Sequence, residues 1–287
     1  MKYLALLTRC RDEFYIQEFC DYYLSQGVDK IYIIDDDSED KSIYDFSKIE
    51  KYKSVEIKYS SRMYANKSTT EYFSSFSYTD EPNKLYNKIK NQYEWLIYVD
   101  VDEFIVTKKN FDKTIREELK DIDKNHDYIQ CISIPWVFMS GANLENNPKS
   151  VLKSILYRHD NNKKHPHPVS KFRCRSVEIE CKSIFKPSAF SHIQDHGPNS
   201  KDSYNGVDLT KNRLKVKKGF YFFSHLREND VKNGVFLCYH YRYISDENSK
   251  NKLKNNGWYI NDKFSFNDLK TSSYPEIYDN SMLKKLL

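Results

Sequence analysis

Hydrophobic residues in the first part of the chain alternate between short continuous runs and segments with helical spacing. The runs Tyr3–Leu7, Lys30–Ile34 and Val55–Tyr59 are rich in β-branched and aromatic residues, as is typical of buried strands. Between the first two runs, Phe14–Gln26 has apolar residues at helical spacing and is followed by Gly27, a common helix end. Strand, helix and strand together predict a βαβ unit with parallel strands and a right-handed crossover.

The same alternation continues, less regularly, to the end of the chain. Further helices are predicted at Ser42–Lys51, Asn83–Tyr93 and Asp112–Asp123. Further strands are predicted at Trp95–Val99, Tyr128–Pro135, Lys171–Ile179, Ser183–His192 and Val235–Tyr243. The remaining segments are predicted as a turn at Met139–Asn143, loops at His159–His167 and Asp195–Lys218, and a polar helical tail from Ser245.

The strand predicted from Trp95 ends in three acidic residues, Asp100, Asp102 and Glu103. Asp100 and Asp102 are two residues apart, so in extended backbone their carboxylates point the same way and can bracket one divalent cation. Ligands of open α/β sheets bind at the carboxyl ends of the strands, where this pair lies. The alternative interpretation of such a short pattern is a polar turn after a core strand.

Polar side chains also follow the first two predicted strands. Thr8 and Arg9 follow the first strand, and Asp35 and Asp36 follow the second. An acid at the latter position is suited to bind a ribose or base edge, and an arginine is suited to a diphosphate. The chain has neither Gly-x-Gly-x-x-Gly after the first strand nor a phosphate-binding Gly-x-x-x-x-Gly-Lys motif. These positions, with Asp100, predict a site for a nucleoside diphosphate.

The composition of the chain limits the size of the domain, the nature of its core and the partners that we expect. The chain has 287 residues, of which 39% are hydrophobic and 15% aromatic, including 24 tyrosines. The length suits one large α/β domain with a core built largely from aromatic rings. A net charge of +5, from 46 basic and 41 acidic residues, is more balanced than is usual for a nucleic-acid-binding protein. We therefore expect no nucleic-acid partner.

The six cysteines are scattered, without a Cys-x-x-Cys pair or a spacing typical of zinc sites. They predict reduced thiols in a cytoplasmic protein. The apolar run Tyr3–Leu7 is too short for a signal peptide or a membrane span, and no other run approaches spanning length. Any membrane contact is therefore expected to be peripheral at most.

Four motifs occur in an order known from nucleotide-sugar glycosyltransferases. They are Gly27–Asp40, Trp95–Phe104, Ile134–Gly141, and Tyr239–Ser245 followed by Lys252 and Gly257. Through these motifs the chain resembles glycosyltransferase family 2 and especially family 92, enzymes of the glycosyltransferase-A fold. The resemblance covers roughly residues 1 to 260.

The resemblance implies a role for each acidic motif. Asp35 and Asp36 correspond to nucleoside contacts, and Asp100 and Asp102 to the motif that binds Mn²⁺ or Mg²⁺ on the donor diphosphate. His240 corresponds to a late histidine that completes the metal shell. Without the resemblance, a histidine in such an aromatic strand is most simply a core residue with satisfied ring nitrogens.

The chain also departs from the family pattern. Asp37 stands where a glycine is usual after the second-strand acids, and Asp12-Glu13 replaces the common Asn-Glu after the first strand. A helix that often carries a histidine has Tyr22-Tyr23 instead. These departures leave the metal motif intact and concern mainly the nucleoside pocket.

The resemblance further implies a carboxylate base for the acceptor proton, about ninety residues after the metal motif. Asp195 is the acid nearest to that position, and Glu145 is the alternative. Trp136, His192 and His196 are assigned to the acceptor side, although both histidines equally suit a loop-capping role.

The segment His165–Pro168 has two histidines around a proline. Without a nearby cysteine or aspartate it is better interpreted as a stiff loop than as a metal site.

Together these features predict an α/β protein with a glycosyltransferase-A, mostly parallel sheet and a small helical C-terminal extension. The predicted boundaries are a catalytic domain at 1–245, with a nucleotide half at 1–107 and an acceptor half at 108–245, and an extension at 246–287. The expected activity is inverting, metal-dependent sugar transfer from a UDP- or GDP-linked donor to a hydroxyl of a glycan or glycolipid. Two alternatives remain: a nucleotidyltransferase or sugar-nucleotide hydrolase with the same Asp-x-Asp site, and a non-catalytic carbohydrate-binding protein.

Overall fold

The structure is a computed structural model that describes residues 1–60, 80–163, 165, 179–199, 205–208, 217–218, 223–255, 259 and 263–286. Its strands are β1 Lys2–Cys10, β2 Lys30–Asp36, β3 Val55–Ser60, β4 Tyr93–Tyr98, β5 Glu103–Thr107, β6 Cys131–Ser140, β7 Tyr157–Arg158, β8 Ile179–Phe185, β9 Asn205–Asp208, β10 Lys217–Lys218, β11 Phe223–Ser224, β12 Phe236–Tyr243 and β13 Ile277–Tyr278. Its α-helices are α1 Ile16–Ser25, α2 Asp80–Ile89, α3 Ile115–Asn125, α4 Val151–Ser154, α5 Glu228–Asn233, α6 Asp246–Asn255, α7 Phe266–Thr271 and α8 Ser281–Lys285. Short 3₁₀ helices lie at Lys41–Lys48, Glu50–Tyr52 and Pro187–Ala189.

The N-terminal half forms the parallel part of a large sheet, in the order β3-β2-β1-β4. Leu4 to Leu7 in β1 and Trp95 to Ile97 in β4 are completely buried, because helices and further chain cover both faces of these strands. The predicted βαβ unit and its parallel strands are confirmed. All these strands run in the same direction, so the side chains that follow them gather at one edge of the sheet.

The other half of the sheet corrects the expectation of mostly parallel strands. β8 is antiparallel to both β4 and β6, which it joins, whereas β6 is parallel to β9. The α/β class is thus confirmed, but the parallel arrangement holds only in part. A continuous apolar run marks a buried strand without indicating its direction, because direction depends on pairing between distant segments.

A second set of strands continues the fold beyond the acidic motif. β12 lies between β5, to which it is antiparallel, and β6, to which it is parallel. The predicted strand Trp95–Val99 corresponds to β4, and a turn at Asp100–Asp102 connects it to β5. This turn connects β4, in the parallel part of the sheet, to β5, which pairs with β12.

Several predicted boundaries are wrong. β1 extends to Cys10, so Thr8 and Arg9 belong to the strand. β6 runs to Ser140, where a turn had been expected. The strand predicted at Ser183–His192 ends at Phe185. Two short strands, β9 and β10, lie in the region expected to be a loop, and most of the strand predicted at Lys171–Ile179 falls outside the described residues.

The C-terminal segment contains α6, α7 and α8, as the helical prediction requires, and also the short strand β13, which pairs with β7. Asp279, next to β13, accepts a hydrogen bond from Arg158 Nε at 2.9 Å. It accepts another from the hydroxyl of Tyr239 at the same distance. The tail is thus attached to β7 and β12 through buried polar contacts.

Within the described ranges, no helix has both the length and the apolar character needed to cross a lipid bilayer. The described cysteines, Cys10, Cys20, Cys131, Cys181 and Cys238, are buried and form no disulfide with one another.

Candidate functional site

The Asp-x-Asp motif lies in a tight turn at the carboxyl end of β4. The backbone N–H of Glu103 donates to the carbonyl oxygen of Asp100 at 3.1 Å, and the Asp100 N–H donates to Glu103 Oε2 at 2.7 Å. Glu103 is completely buried, whereas the Asp100 side chain is 45% exposed. The turn therefore directs Asp100 outward and keeps Glu103 beneath it.

A buried lysine holds this turn from the neighbouring strand β8. Lys182 Nζ donates to Asp100 Oδ2 at 2.7 Å and lies 3.3 Å from Glu103 Oε2, with only 1% of its side chain exposed. Burial opposes its charge, but the carboxylates of Asp100 and Glu103 raise the pKa of Lys182 well above its ordinary value. Lys182 is therefore a permanent positive charge under the motif.

Asp102 has a different pair of neighbours. Lys252 Nζ donates to its Oδ2 at 2.7 Å, and His240 Nε2 lies 3.6 Å from its Oδ1. Burial opposes ionisation, but Lys252 and His240 lower the pKa of Asp102 well below its usual range. Asp102 is thus a carboxylate at every pH at which the protein would work.

His240 lies in β12 among aromatic rings. Its ring centroid is 4.5 Å from that of Trp136 and 5.7 Å from that of Phe138. Burial lowers the pKa of His240, although Asp102 opposes the shift, so the imidazole is neutral near pH 7. His240 is therefore both a core residue and a direct neighbour of the acidic motif.

The predicted ligands match a divalent cation in their chemistry. Carboxylate oxygens and a neutral imidazole suit Mn²⁺, and Asp102 and His240 already face each other. The buried Nδ1 of His240 has no hydrogen-bond partner among the described residues. In the same ranges, no three His, Cys, Asp or Glu side chains converge as a ready-made metal site. The donor types fit, while lysine ammonium groups bind both carboxylates.

The predicted base, Asp195, is paired with Arg9. Arg9 Nη2 donates to Asp195 Oδ1 at 3.0 Å, and His196 Nε2 lies 3.5 Å from Asp195 Oδ2. Burial opposes ionisation, but His196, Arg9 and Lys182 lower the pKa of Asp195. The His196 ring is 5.1 Å from Trp136, so this group adjoins the aromatic residues beside His240.

The acids after the second strand lie within β2 and are buried. Asp35 accepts hydrogen bonds from the Tyr44 hydroxyl at 2.7 Å and the Ser38 N–H at 3.2 Å, and it pairs with Lys41. Burial opposes its ionisation, but these contacts lower the pKa of Asp35. Asp36 is 3% exposed. Asp35 thus binds residues of the segment that follows β2.

Asp37 explains the departure from the family pattern. Its φ is +59°, a left-handed conformation that glycine adopts easily and that aspartate tolerates better than most residues. Asp37 therefore has a backbone conformation that glycine would adopt without strain, at a cost of about 1 kcal/mol.

Three further candidates lie less centrally. Thr8 is completely buried in β1, and its hydroxyl donates to the carbonyl oxygen of Arg9 at 3.3 Å. His192 Nδ1 lies 3.0 Å from the hydroxyl of Ser191. Glu145 has an exposed side chain, and its carbonyl oxygen accepts from the N–H of Glu247 at 3.0 Å. The contacts described for these residues do not include Asp100 or Asp102.

Lys182 and Glu13 are charged residues of the site that were not assigned a role from the sequence. Lys182 is one of two charged residues in β8, with Glu180, and no local sequence pattern distinguishes it. Glu13 lies in the loop after β1, where burial and the charges of Asp102 and Asp100 raise its pKa to about 7, although Lys252 opposes the shift. Glu13 thus interacts electrostatically with Asp102 and Lys252.

The sequence profile of glycosyltransferase family 92 matches residues 11–276. No curated protein matches the chain. Among solved structures, S. aureus TarS is 20% identical over 54% of this chain and 25% of that chain, with a TM-score of 0.31.

Two structures of TarS 1–349 are similarly distant. The complex with UDP is 12% identical, covering 66% of this chain and 48% of that chain, with a TM-score of 0.34. The complex with UDP-GlcNAc is 15% identical, covering 66% of this chain and 46% of that chain, with a TM-score of 0.30. The chain therefore spans less than half the length of these TarS structures.

Proposed function

Because this chain belongs to glycosyltransferase family 92, we propose that it transfers a sugar from a UDP- or GDP-linked donor to a hydroxyl of a glycan or glycolipid. The transfer is proposed to proceed with inversion and to require Mn²⁺ or Mg²⁺. The observation that carries the proposal is the pair Asp100 and Asp102 at the carboxyl end of β4, surrounded by positive side chains from distant segments. Such a site suits an anionic ligand that brings its own cation.

The divalent ion would be held by Asp100, Asp102 and His240. When bound, it would neutralise the negative charge that develops on the leaving diphosphate. Two residues would prepare the site for the ion. Lys182 keeps Asp100 in place, and the neutral state of His240 leaves a ring nitrogen able to coordinate.

The nucleoside is proposed to bind beside β1 and β2, near Thr8, Arg9 and the acids of β2. In the β1–β2 pair, Arg9 is in register with Ile34 and Cys10 with Asp35, so these positions lie side by side. Either Asp35 or Asp36 would contact the nucleoside, and the Asp35 carboxylate also accepts bonds from Tyr44 and Ser38. Arg9 would face the diphosphate.

Asp195 is proposed as the base that accepts the acceptor proton, with Glu145 as the alternative. Support for Asp195 comes from its position: its charge interacts with Lys182, which binds Asp100, and its neighbour His196 contacts Trp136. Arg9 and His196 keep it ionised and oriented, as an acceptor of a proton requires. Trp136, His192 and His196 would contact the acceptor.

We also propose a cytoplasmic location. The support is that the described cysteines are buried and form no disulfide with one another, as is usual in reducing compartments.

The proposal is tested by incubating the purified chain with UDP- and GDP-sugars, Mn²⁺ and a panel of oligosaccharide and glycolipid acceptors. Mass spectrometry would detect the glycosylated product. We expect transfer to require added metal, and Asp102→Ala to lower kcat/KM by about 10²-fold or more, because a buried carboxylate next to the diphosphate is lost.

The matched control is Asp45→Ala, since the Asp45 side chain is 61% exposed and pairs only weakly with the exposed Lys48. It should retain transfer within about twofold. Rapid metal-dependent hydrolysis of the donor without any transfer would replace the proposal with a hydrolase. Unchanged turnover in both variants would remove the Asp-x-Asp pair from the mechanism.

A further inference from the structure

Lys252 binds the Asp102 carboxylate from a helix that lies outside the sheet. It belongs to the last turn of α6, and its Nζ donates to Asp102 Oδ2 at 2.7 Å and to the carbonyl oxygen of Arg242 at 3.4 Å. Its side chain is 11% exposed. A full positive charge therefore already lies on one of the two oxygens of Asp102.

A divalent ion at the same carboxylate would compete with this ammonium group. Two cations on one carboxylate repel each other strongly, and the repulsion grows where burial limits solvent screening. The stem of a lysine has several rotatable bonds, so Nζ can leave Asp102 without any movement of α6.

The second lysine of the site differs in this respect. Lys182 pairs with both Asp100 and Glu103, and Glu103 is completely buried. Removing Lys182 would leave Asp100 and the buried Glu103 side chain without the ammonium group that they share, which is costly. Asp102 would still have His240 at 3.6 Å after losing Lys252. Of the two lysines, Lys252 is the one that the site can release.

We propose that Lys252 is a displaceable countercharge, which neutralises Asp102 in the ligand-free protein and must leave this carboxylate when a divalent cation binds there. This inference rests on the proposed function, because it needs the metal site at Asp102. Its consequence is that Lys252 weakens the binding of the ion alone. A bound diphosphate would attract the released ammonium group and so strengthen ion binding, in a coupling that requires Lys252.

The test is the affinity for Mn²⁺ alone, measured on the whole chain without nucleotide by electron paramagnetic resonance of the free ion. Wild type is compared with Lys252→Met and with Lys254→Met, which removes an exposed lysine of the same helix. We expect Lys252→Met to bind Mn²⁺ about tenfold more tightly, whereas Lys254→Met should stay within about twofold of wild type.

Two further measurements complete the test. Lys252→Gln, which keeps a polar side chain, is measured alongside, so that the result does not depend on the folding of one variant. Pyrophosphate should increase Mn²⁺ affinity more in wild type than in either Lys252 variant. Equal Mn²⁺ affinity in wild type and both Lys252 variants would overturn the displacement and leave the metal site intact. No Mn²⁺ binding by any of them would overturn the metal site and this inference together.

Discussion

The two aspartates of the motif have different environments although they are two residues apart. The Asp100 side chain is 45% exposed and is held by a lysine that also binds Glu103. The Asp102 side chain is 16% exposed and lies between Lys252 and His240. Because Asp102 is less exposed and has the imidazole beside it, its loss should affect activity more than the loss of Asp100.

At the residue scale, Glu13 gives a prediction about pH. Its pKa is raised from 4.5 to about 7 by burial and by Asp102 and Asp100. A raised pKa means that the contribution of Glu13 to stability is present below the ordinary pKa and is lost as pH rises through 7. The free energy of unfolding should therefore fall less in Glu13→Gln than in wild type between about pH 5 and about pH 8. The difference should be on the order of 2–3 kcal/mol.

Denaturant unfolding at several pH values measures this difference. Glu39→Gln is the control, since the Glu39 side chain is 78% exposed and should keep the pH dependence of wild type. If Glu13→Gln and wild type changed in parallel with pH, Glu13 would titrate normally and lie apart from the charges of the site.

At the element scale, the pairing of β12 with β6 builds the aromatic side of the site. In this parallel pair Cys238 is in register with Trp136 and His240 with Phe138, so the histidine lies directly beside the aromatic rings. β12 also pairs with β5, which follows the acidic turn. One strand therefore connects the acidic turn with Trp136 and Phe138.

Gly141, just after β6, permits this close pairing. A Cβ at this position would lie 2.0 Å from the carbonyl oxygen of Ile244 and 2.9 Å from that of Tyr243. Backbone atoms cannot turn aside as a flexible side chain can, so we expect Gly141→Ala to lower the free energy of unfolding by roughly 2–4 kcal/mol. Thermal or denaturant unfolding measures the change.

Gly234→Ala serves as the comparison, because Gly234 has a φ of −63°, which any residue adopts. Its effect should remain below about 1 kcal/mol. A wild-type stability for Gly141→Ala would show that the end of β6 lies farther from β12 than the structure has it.

At the scale of the whole molecule, a buried polar network attaches the tail to the rest of the chain. Arg158 in β7 binds Glu228 of α5 through two hydrogen bonds of 2.7 Å and Asp279 of the tail through one of 2.9 Å. Lys108 Nζ is 3.7 Å from Asp279 Oδ2, and Tyr239 of β12 donates to the same carboxylate. Asp279 of the tail therefore contacts side chains from three other parts of the chain, namely Arg158, Lys108 and Tyr239.

Removal of this carboxylate charge should destabilise the protein. Burial opposes ionisation of Asp279, but Lys108, Ser281 and Arg158 lower its pKa to about 2. Asp279→Asn leaves Arg158 and Lys108 with a missing countercharge, so we expect a loss of roughly 3 kcal/mol in the free energy of unfolding at neutral pH. The difference should shrink as pH falls from about 4, where the unfolded chain takes up the proton, to about 2, where folded wild type loses the same charge.

The same substitution at an exposed position, Asp45→Asn, provides the control and should cost less than about 1 kcal/mol. Both variants are compared by denaturant unfolding at neutral and acidic pH. A cost for Asp279→Asn as small as that for Asp45→Asn would indicate that the tail is held by apolar packing alone.

The sequence by itself determined the local elements of this protein and the position of its acidic motif. Continuous apolar runs predicted β1 to β4, helical spacing predicted α1 and α3, and the acids at the end of β4 marked the site. These features depend on neighbouring residues, because side-chain spacing sets which faces of an element can be buried. Arg9 and Asp35 were likewise placed at one edge by the parallel strands of the βαβ unit.

Only the tertiary structure decided the direction of β8, the position of β12 between β5 and β6, and the partners of each charge. Lys182 and Lys252 lie far from Asp100 and Asp102 in the sequence, yet each binds one of them. No local pattern contains such contacts, because they arise when strands and helices from distant parts of the chain pack together and buried charges must find a countercharge. The acidic motif could therefore be identified from the sequence, whereas its electrostatic surroundings depend on the fold.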